Sequence, residues 1–171
     1  MKQIILQPVT RIEGHAKVTI QLDDQGNVAD TRVNVVELRG FEKFCVGRPV
    51  EELPRIVPRI CGVCPWAHHL ASSKACDAVF GVEIPPVAKK LRELAYMGHF
   101  IHSHVLHFFV LSGPDFVMGP GADYTVRNVV GIAQKVPDIA RRVLRTRFLG
   151  QMMTQVLGGK AIHPDVSVPG G

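Results

Sequence analysis

The sequence predicts an α+β fold, in which a small antiparallel β-hairpin layer is followed by a helical bundle. Two observations lead to this fold class. Apolar and polar residues alternate within the first 40 residues, whereas from residue 65 onward apolar residues recur at helical spacing between proline and glycine boundaries. The 171 residues suffice for one or two small domains with a core. We expect a β-rich segment at 1–40, a loop region at 41–64, a helical segment at 65–158 and a Gly/Pro tail at 159–171.

The β-hairpin is predicted from two strands and the turn between them. Alternation over His15 to Leu22 puts apolar side chains on one face, and Val28 to Val36 is again rich in β-branched residues. The intervening residues, Asp23 to Asn27, combine aspartate, glycine and asparagine, which favour tight turns. The pattern therefore predicts an antiparallel pair with one buried face.

The first long helix is predicted from its two ends. Prolines at 49, 54 and 58 keep the preceding chain irregular or in short helical turns. Pro65 suits the first position of a helix, which makes Cys64 the N-cap residue. We expect this helix to continue to Phe80 and to end at Gly81.

Three more helices follow from the same signals. A long helix opens at Pro85-Pro86 and is expected to break at Ser112-Gly113-Pro114. A third helical region is expected near 126–134, and a fourth runs from Pro137 to Leu157, before Gly158-Gly159. The apolar stripe of the long helix is Val87, Leu91, Leu94, Met97, Ile101, Val105 and Phe108.

Composition narrows the class of protein. An apolar content of 46% and a charged content of 20% are typical of a folded chain. Neither a signal peptide nor an apolar run long enough to span a bilayer is present, so we expect a cytoplasmic protein with no membrane span. The net charge of +5 is moderate, and its main cluster, within 141–147, has only Phe148 as an aromatic neighbour, so no nucleic-acid partner is predicted.

The motif Cys61-Gly62-Val63-Cys64 is the strongest chemical signal in the chain. Two thiols three residues apart can form half of a zinc site, a dithiol redox pair or part of an iron-sulfur site. The helix N-terminus at Cys64 favours the thiolate, but the proline-rich lead-in does not provide the βαβ frame of a thioredoxin-like protein. The neighbouring His68 and His69 add the possibility of a compact Cys-Cys-His set.

Other polar residues have simpler interpretations when each is taken alone. The histidines at 99, 102, 104 and 107 form two i,i+3 pairs, which favours core or interface histidines over a metal site. Glu13 reads as an exposed carboxylate paired with Arg11, and Glu42 as a surface charge near Lys43.

Three segments together resemble the large subunit of nickel-iron hydrogenases. They are Val9-Thr10-Arg11-Ile12-Glu13-Gly14-His15, Arg39-Gly40-Phe41-Glu42 and Arg59-Ile60-Cys61-Gly62-Val63-Cys64, in the order and approximate spacing of that family. The likeness continues through His68, Ile84-Pro85-Pro86 and the tail from His163-Pro164 to Gly171. The sequence around Cys64-Pro65-Trp66 looks most like the methanogen-type, F420-nonreducing (methyl-viologen-reducing) branch of this family. Members of that branch feed electrons to heterodisulfide reductase.

The resemblance implies a role for five residues. Cys61 would be a terminal nickel ligand, Cys64 would bridge nickel to iron, and His68 would orient the bridging sulfur. Glu13 would receive the proton released when hydrogen is split, and Glu42 would help to hold a magnesium ion. The implied partner is an iron-sulfur small subunit, in a complex that can extend to heterodisulfide reductase.

The chain departs from this family in two respects. Ser103 stands where other branches carry an aspartate above the metals. The family is also more than twice as long and binds nickel through four cysteines, so this truncated chain holds only two of the four thiolates. An assembled nickel-iron centre would therefore need the second Cys-x-x-Cys from another large-subunit fragment.

Three functions remain open from the sequence. The chain could be the N-terminal half of a hydrogenase large subunit that oxidises H2 when another chain completes it. It could instead be a non-catalytic remnant with a docking role in an electron-transfer complex. A small zinc or dithiol protein, with adventitious zinc at the cysteine pair, is the third reading, although it leaves the segment at 11–15 and the tail unexplained.

Overall fold

The computed structural model describes residues 2–37 and 40–171, and the chain forms two compact units, 1–40 and 41–171. Arg39, the first residue of the Arg39-Gly40-Phe41-Glu42 segment, lies outside the described residues.

The first unit is a three-stranded antiparallel sheet with the strand order β1-β2-β3. Its strands are β1 (Lys2–Leu6), β2 (Ala16–Leu22) and β3 (Val28–Val35). The predicted hairpin is the β2–β3 pair, in register from Ala16 opposite Val35 to Leu22 opposite Val28, with an irregularity after Gln21. The prediction of a buried face is wrong for β3, where Val33 and Val35 are 68% and 58% exposed. The sheet adds β1 as a third strand, which pairs along the other edge of β2.

The second unit is helical. Its α-helices are α1 (Phe41–Cys45), α2 (Leu53–Ile56), α3 (Pro65–Phe80), α4 (Pro86–Leu106), α5 (Gly113–Met118), α6 (Val129–Lys135) and α7 (Pro137–Gly158). Short 3₁₀ turns span Val50–Glu52 and Val57–Ile60, and a π-helical turn spans His107–Ser112. A small sheet followed by helices confirms the predicted fold class.

Helix α3 has the two ends that the sequence predicts. Cys64 is the N-cap, Pro65 is the first helical residue, and Gly81 ends the helix with a left-handed φ of 60°. Proline at the first turn sacrifices no helical hydrogen bond, and glycine adopts the left-handed region without a Cβ clash. Helix α7 likewise ends at a left-handed glycine, Gly159.

The predicted break at Ser112-Gly113-Pro114 is wrong, because the chain stays helical through it. A π-helical turn precedes α5, and the Gly113 N–H donates to the Phe108 carbonyl, five residues back. In a regular α-helix the Pro114 ring would clash with the carbonyl four residues before it. The wider turn displaces that carbonyl, so the proline is accommodated without ending the helix.

Helices α4 and α7 pack at very close range through glycines. A Cβ atom added to Gly150 would lie 2.7 Å from the carbonyl oxygen of Gly98, so only glycine permits this contact. The face of α4 that turns inward carries Ala95, His99 and His102, all buried. The apolar stripe that the sequence predicts for α4 is not on this inward face. Its first five residues, Val87 to Ile101, are each more than 40% exposed.

Candidate metal site

Cys61 and Cys64 lie on either side of a tight turn that leads into α3. The backbone of Cys61 is extended after the 3₁₀ turn Val57–Ile60, and its N–H donates to the Pro58 carbonyl at 3.3 Å. The N–H of Cys64 donates to the Sγ atom of Cys61 at 3.1 Å. Cys61 is buried and Cys64 is half-buried, so the turn presents two partly shielded sulfur atoms.

His68 completes a group of three potential metal ligands. It lies one helical turn after Cys64, and the ligand atoms of Cys61, Cys64 and His68 all lie within 4.8 Å of one another. Ligands of one tetrahedral ion, at about 2.0–2.3 Å from it, are about 3.3–3.8 Å apart, so small side-chain rotations bring the group to bonding distance. Two thiols and an imidazole suit a soft or borderline cation such as nickel, iron or zinc.

The neighbouring His69 does not belong to this group but connects two other segments. It is fully buried, and its Nδ1 donates to the Pro54 carbonyl at 2.8 Å. Its Nε2 accepts from the N–H groups of Val166 (3.3 Å) and Ser167 (3.0 Å). These bonds require the neutral Nδ1–H tautomer. Burial lowers the pKa of His69, which agrees with a neutral ring.

The tail after α7 is held by a buried polar network on α3 and α4. Asp77 binds Arg92 (Oδ2 to Nη1, 2.6 Å) and accepts from the N–H of Gly170 at 2.8 Å. Arg92 donates through Nη2 to the main-chain oxygens of Val168 and Gly171, at 2.8 Å each. Burial opposes ionisation of Asp77, but the bonds from Arg92 and Gly170 hold its pKa below the usual value. The segment predicted as a loop is therefore a docked element.

The sequence reasoning missed this network, although one signal was available. His69, Ser73 and Asp77 recur every fourth residue and therefore share one face of α3. Ser73 donates to the carbonyls of His69 (2.8 Å) and Ser167 (3.3 Å). A polar stripe at helical spacing in a buried helix indicates polar partners, but its spacing does not reveal which segment supplies them.

Both glutamates singled out from the sequence are exposed. Glu13 is an exposed residue of the first unit, between β1 and β2 and next to Gly14, whose φ is 86°. Glu42 is exposed in the first turn of α1 in the second unit. Ser103 is half-buried in α4. Within residues 2–37 and 40–171, Cys61, Cys64 and His68 are the one group of three metal-ligating side chains.

Two of the histidines of α4, His99 and His102, are packing residues, whereas His104 is exposed. His99 and His102 are buried with their rings edge to face at 5.1 Å, and Nδ1 of His104 donates to the Phe100 carbonyl at 2.9 Å. Burial, followed by the nearby His102, His104 and His107, lowers the pKa of His99 to about 4. A neutral pair in the α4–α7 contact agrees with the core interpretation.

Cys76 is a buried cysteine that does not belong to the group of potential metal ligands formed by Cys61, Cys64 and His68. Its Sγ donates to the Val50 carbonyl at 3.2 Å, and burial, together with Asp77 and Glu51, raises its pKa. A protonated thiol with a backbone acceptor serves packing rather than metal binding.

No helix in the described part of the chain combines the length and the apolar character needed to cross a membrane.

Comparison with known families places these residues in context. A family model described as nickel-dependent hydrogenase matches residues 39–141, and one described as HoxL-like matches residues 3–38. One of the subunits of the F420-non-reducing hydrogenase vhu of Methanocaldococcus jannaschii is 57% identical over the whole chain, which covers 41% of that protein. The β subunit of the NAD-reducing hydrogenase HoxS of Cupriavidus necator is 41% identical over 99% of the chain and 36% of its own length.

Solved structures give the same result. A crystal structure of an NAD⁺-reducing NiFe-hydrogenase in the H2-reduced state superposes with a TM-score of 0.91 at 46% identity, and the match covers 100% of this chain and 38% of the other. The Ni-Fe-Se hydrogenase of D. vulgaris Hildenborough superposes with a TM-score of 0.79 at 34% identity, over 99% and 37% of the two chains. The chain thus spans about two fifths of the length of the relatives it matches.

Proposed function

Because this chain belongs to the nickel-dependent hydrogenase family, we propose that it forms the part of a nickel-iron hydrogenase large subunit that supplies one of the two thiol pairs of the metal centre. In this role it contributes to H2 oxidation and to electron delivery to an iron-sulfur partner, once a further segment provides the second Cys-x-x-Cys. The observation that carries the proposal is the Cys61, Cys64 and His68 group at the start of α3.

The residues of this group suit the chemistry of such a centre. When bound, a nickel-iron centre supplies the heterolytic cleavage of H2. The chain's own contribution is to hold the metals through Sγ of Cys61 and Sγ of Cys64, on a turn fixed by backbone hydrogen bonds. His68 would donate a hydrogen bond towards the Cys64 sulfur and so orient it. The hydrogen bonds of this turn restrain its backbone, which reduces the entropy lost when the metals bind.

We assign the proton acceptor to a carboxylate oxygen of Glu13. This assignment rests on the resemblance of the Arg11 to His15 segment to the family, and on the ability of a carboxylate to take up and release a proton.

Glu42 by itself supplies one carboxylate group, with two oxygens, to a magnesium ion. A hard cation such as magnesium prefers about six oxygen ligands, and Glu42 belongs to no group of three ligating side chains within the described ranges. The remaining ligands would come from the completing segment, and this chain by itself does not fit a magnesium site.

An apolar groove between α4 and α7 suits the completing segment. It has a volume of about 460 Å³ and is lined by Leu94, Leu149, Met152, Met153, Val156 and Leu157. Several of these side chains are exposed, with Val156 at 77%. The occupant we propose is the large-subunit residues that the relatives have beyond this length, because burying such a surface stabilises an assembly by the hydrophobic effect.

We further propose that the partner is an iron-sulfur small subunit, in a complex of the heterodisulfide reductase type. This proposal rests on the resemblance of the sequence to the methanogen-type branch, and relatives of the chain are named F420-non-reducing hydrogenases. Co-purification with an iron-sulfur protein tests this partner, and a chain that is always recovered alone would contradict it.

The central experiment is co-production of this chain with a segment that carries the second Cys-x-x-Cys, followed by elemental analysis of the purified complex. We expect nickel and iron in the parent complex and neither metal in Cys64→Ser, because a hydroxyl is a poor ligand for these soft sites. Cys76→Ser is the matched control and should keep both metals, since its hydroxyl can still donate to the Val50 carbonyl.

The same experiment separates the alternatives. A stable complex with an iron-sulfur protein but without nickel would favour the non-catalytic docking subunit. The chain produced alone should carry no stoichiometric nickel and can bind zinc at the cysteine pair, because two thiolates and a histidine that orients one of them leave nickel under-coordinated. One nickel per chain in the absence of any second protein would refute the need for completion.

A further inference from the structure

His69 connects the chain on both sides of the thiol pair. Its Nδ1 donates to the carbonyl of Pro54, seven residues before Cys61, and its own position is five residues after Cys64. This hydrogen bond therefore closes a loop around the Cys-x-x-Cys turn. Both ends are buried, because His69 is fully buried and Pro54 is buried in α2.

The segment that this bond anchors is too short to hold its own position. Helix α2 has four residues, and the 3₁₀ turn Val57–Ile60 has four more before Cys61 begins. Helices of one turn are marginal by themselves, because nucleation costs more than one turn of hydrogen bonds returns. Contacts with α3 must therefore determine where this segment, and with it Cys61, lies relative to Cys64.

The other ring nitrogen of His69, Nε2, binds the tail and not α2. Nε2 accepts hydrogen bonds from Val166 and Ser167 of the tail, and Ser73, one turn further along α3, donates to the Ser167 carbonyl. The tail therefore has other attachments to α3 and α4, whereas the bond to Pro54 ties α2 to α3 directly.

We propose that His69 is a positioning residue for the metal site: by holding the Pro54 carbonyl against α3, its Nδ1–H sets the separation of the Cys61 and Cys64 sulfurs. This inference rests on the proposed metal-holding function. It assigns to His69 a role distinct from that of His68, which is itself a potential ligand.

Two substitutions of His69 distinguish the hydrogen bond of Nδ1 to Pro54 from the hydrogen bonds of Nε2 to the tail. His69→Asn places an amide N–H near the position of Nδ1 and loses the acceptor at Nε2, so it keeps the bond to Pro54. His69→Gln places an amide oxygen near the position of Nε2 and loses the donor at Nδ1, so it keeps the bonds to the tail. Ser73→Ala is the control, because it weakens tail docking on the same face of α3 and does not touch Pro54.

The probe is Co²⁺, titrated into the 171-residue chain, with thiolate charge-transfer absorption as the readout. Residues that orient metal ligands typically contribute 10–100-fold in affinity. We expect His69→Gln to bind Co²⁺ at least about tenfold more weakly, and His69→Asn and Ser73→Ala to stay within about threefold of the parent. Amide hydrogen exchange of residues 57–64 gives a second readout, which should be faster in His69→Gln alone.

Each outcome decides the inference. Parent-like Co²⁺ binding in His69→Gln overturns it, and so does an equal loss in His69→Asn, because the tail bonds would then be responsible. If the parent chain binds no Co²⁺ by itself, as its incomplete ligand set allows, the exchange rates of residues 57–64 decide: faster exchange in His69→Gln alone supports the inference, and parent-like exchange overturns it. The metal-holding function is tested separately, by elemental analysis of the completed complex. If His69→Gln does not fold, His69→Asn alone decides: parent-like binding supports the inference and a tenfold loss overturns it.

Discussion

The buried ion pair between Asp77 and Arg92 should be the most sensitive electrostatic contact in the second unit. The Asp77 carboxylate binds Nη1 of Arg92 at 2.6 Å and accepts a second bond from the Gly170 N–H. Both side chains are buried, with 12% and 6% of their surface exposed. Asp77→Ala removes the carboxylate and leaves the guanidinium buried, bonded to the main-chain oxygens of Val168 and Gly171.

The expected cost follows from this burial. Removing one partner of a buried pair typically destabilises a protein by about 3–5 kcal/mol, because the remaining charge is left without compensation. The matched control is Asp138→Ala, which removes the carboxylate of another aspartate-arginine pair, with Arg141 at 3.1 Å in the same unit. That pair is 81% and 76% exposed, so its loss should cost no more than about 1 kcal/mol.

Urea unfolding at pH 7 measures both variants, and amide exchange of the tail should rise in Asp77→Ala alone. The pKa of Asp77 lies below its ordinary value of 3.8. Its stabilisation is therefore complete above pH 3.8 and is lost as the pH falls through the lower folded-state pKa, so the gap between parent and variant should narrow there. If Asp77→Ala and Asp138→Ala differed by less than about 1 kcal/mol at pH 7, the buried pair would not hold the tail as argued.

Three further predictions concern pH, packing and proton transfer. The pKa of His99 is lowered from 6.5 to about 4 in the folded chain. As the pH falls from 7 to 5, His99 is therefore protonated in the unfolded chain but stays neutral in the folded chain. Between pH 7 and pH 5, His99 should lower the free energy of unfolding by about 2 kcal/mol. In urea titrations, the unfolding free energy of His99→Gln should therefore depend less steeply on pH than that of the parent. Gly150→Ala should destabilise by about 1–3 kcal/mol, because its Cβ would lie 2.7 Å from a backbone carbonyl oxygen, and thermal unfolding against Gly121→Ala, which meets nothing within 4 Å, checks this. In the completed complex, Glu13→Gln should retain its metals and lose most H2-dependent dye reduction, whereas turnover at the parent rate would return Glu13 to a surface carboxylate.

Local signals were sufficient for much of the fold. Pro65 and Gly81 act on the backbone of their own residues, so the bounds of α3 could be predicted without knowing any neighbour in space. The Cys61, Cys64 and His68 group is similarly local, because a tight turn and one helical turn bring these residues together whatever surrounds them.

The features that the sequence predicted wrongly or missed depend on a backbone irregularity and on long-range contacts. The helix through Pro114 continues because a π-helical turn relieves the clash, and spacing alone cannot show such a turn. The tail docks through hydrogen bonds that join residues 76 to 98 positions apart, from Arg92 and Val168 to His69 and Ser167. No local propensity encodes a contact of that separation.

The adjacent residues His68 and His69 show which features the sequence determines and which features depend on the tertiary structure. The sequence by itself determined that an imidazole would stand near the thiol pair, because both His68 and His69 follow Cys64 within two turns of one helix. Successive helical residues point about 100° apart, so one of the two had to face elsewhere. The tertiary structure decided which: α2 and the tail provide a carbonyl and two N–H groups on the side of His69, which leaves His68 beside the sulfurs.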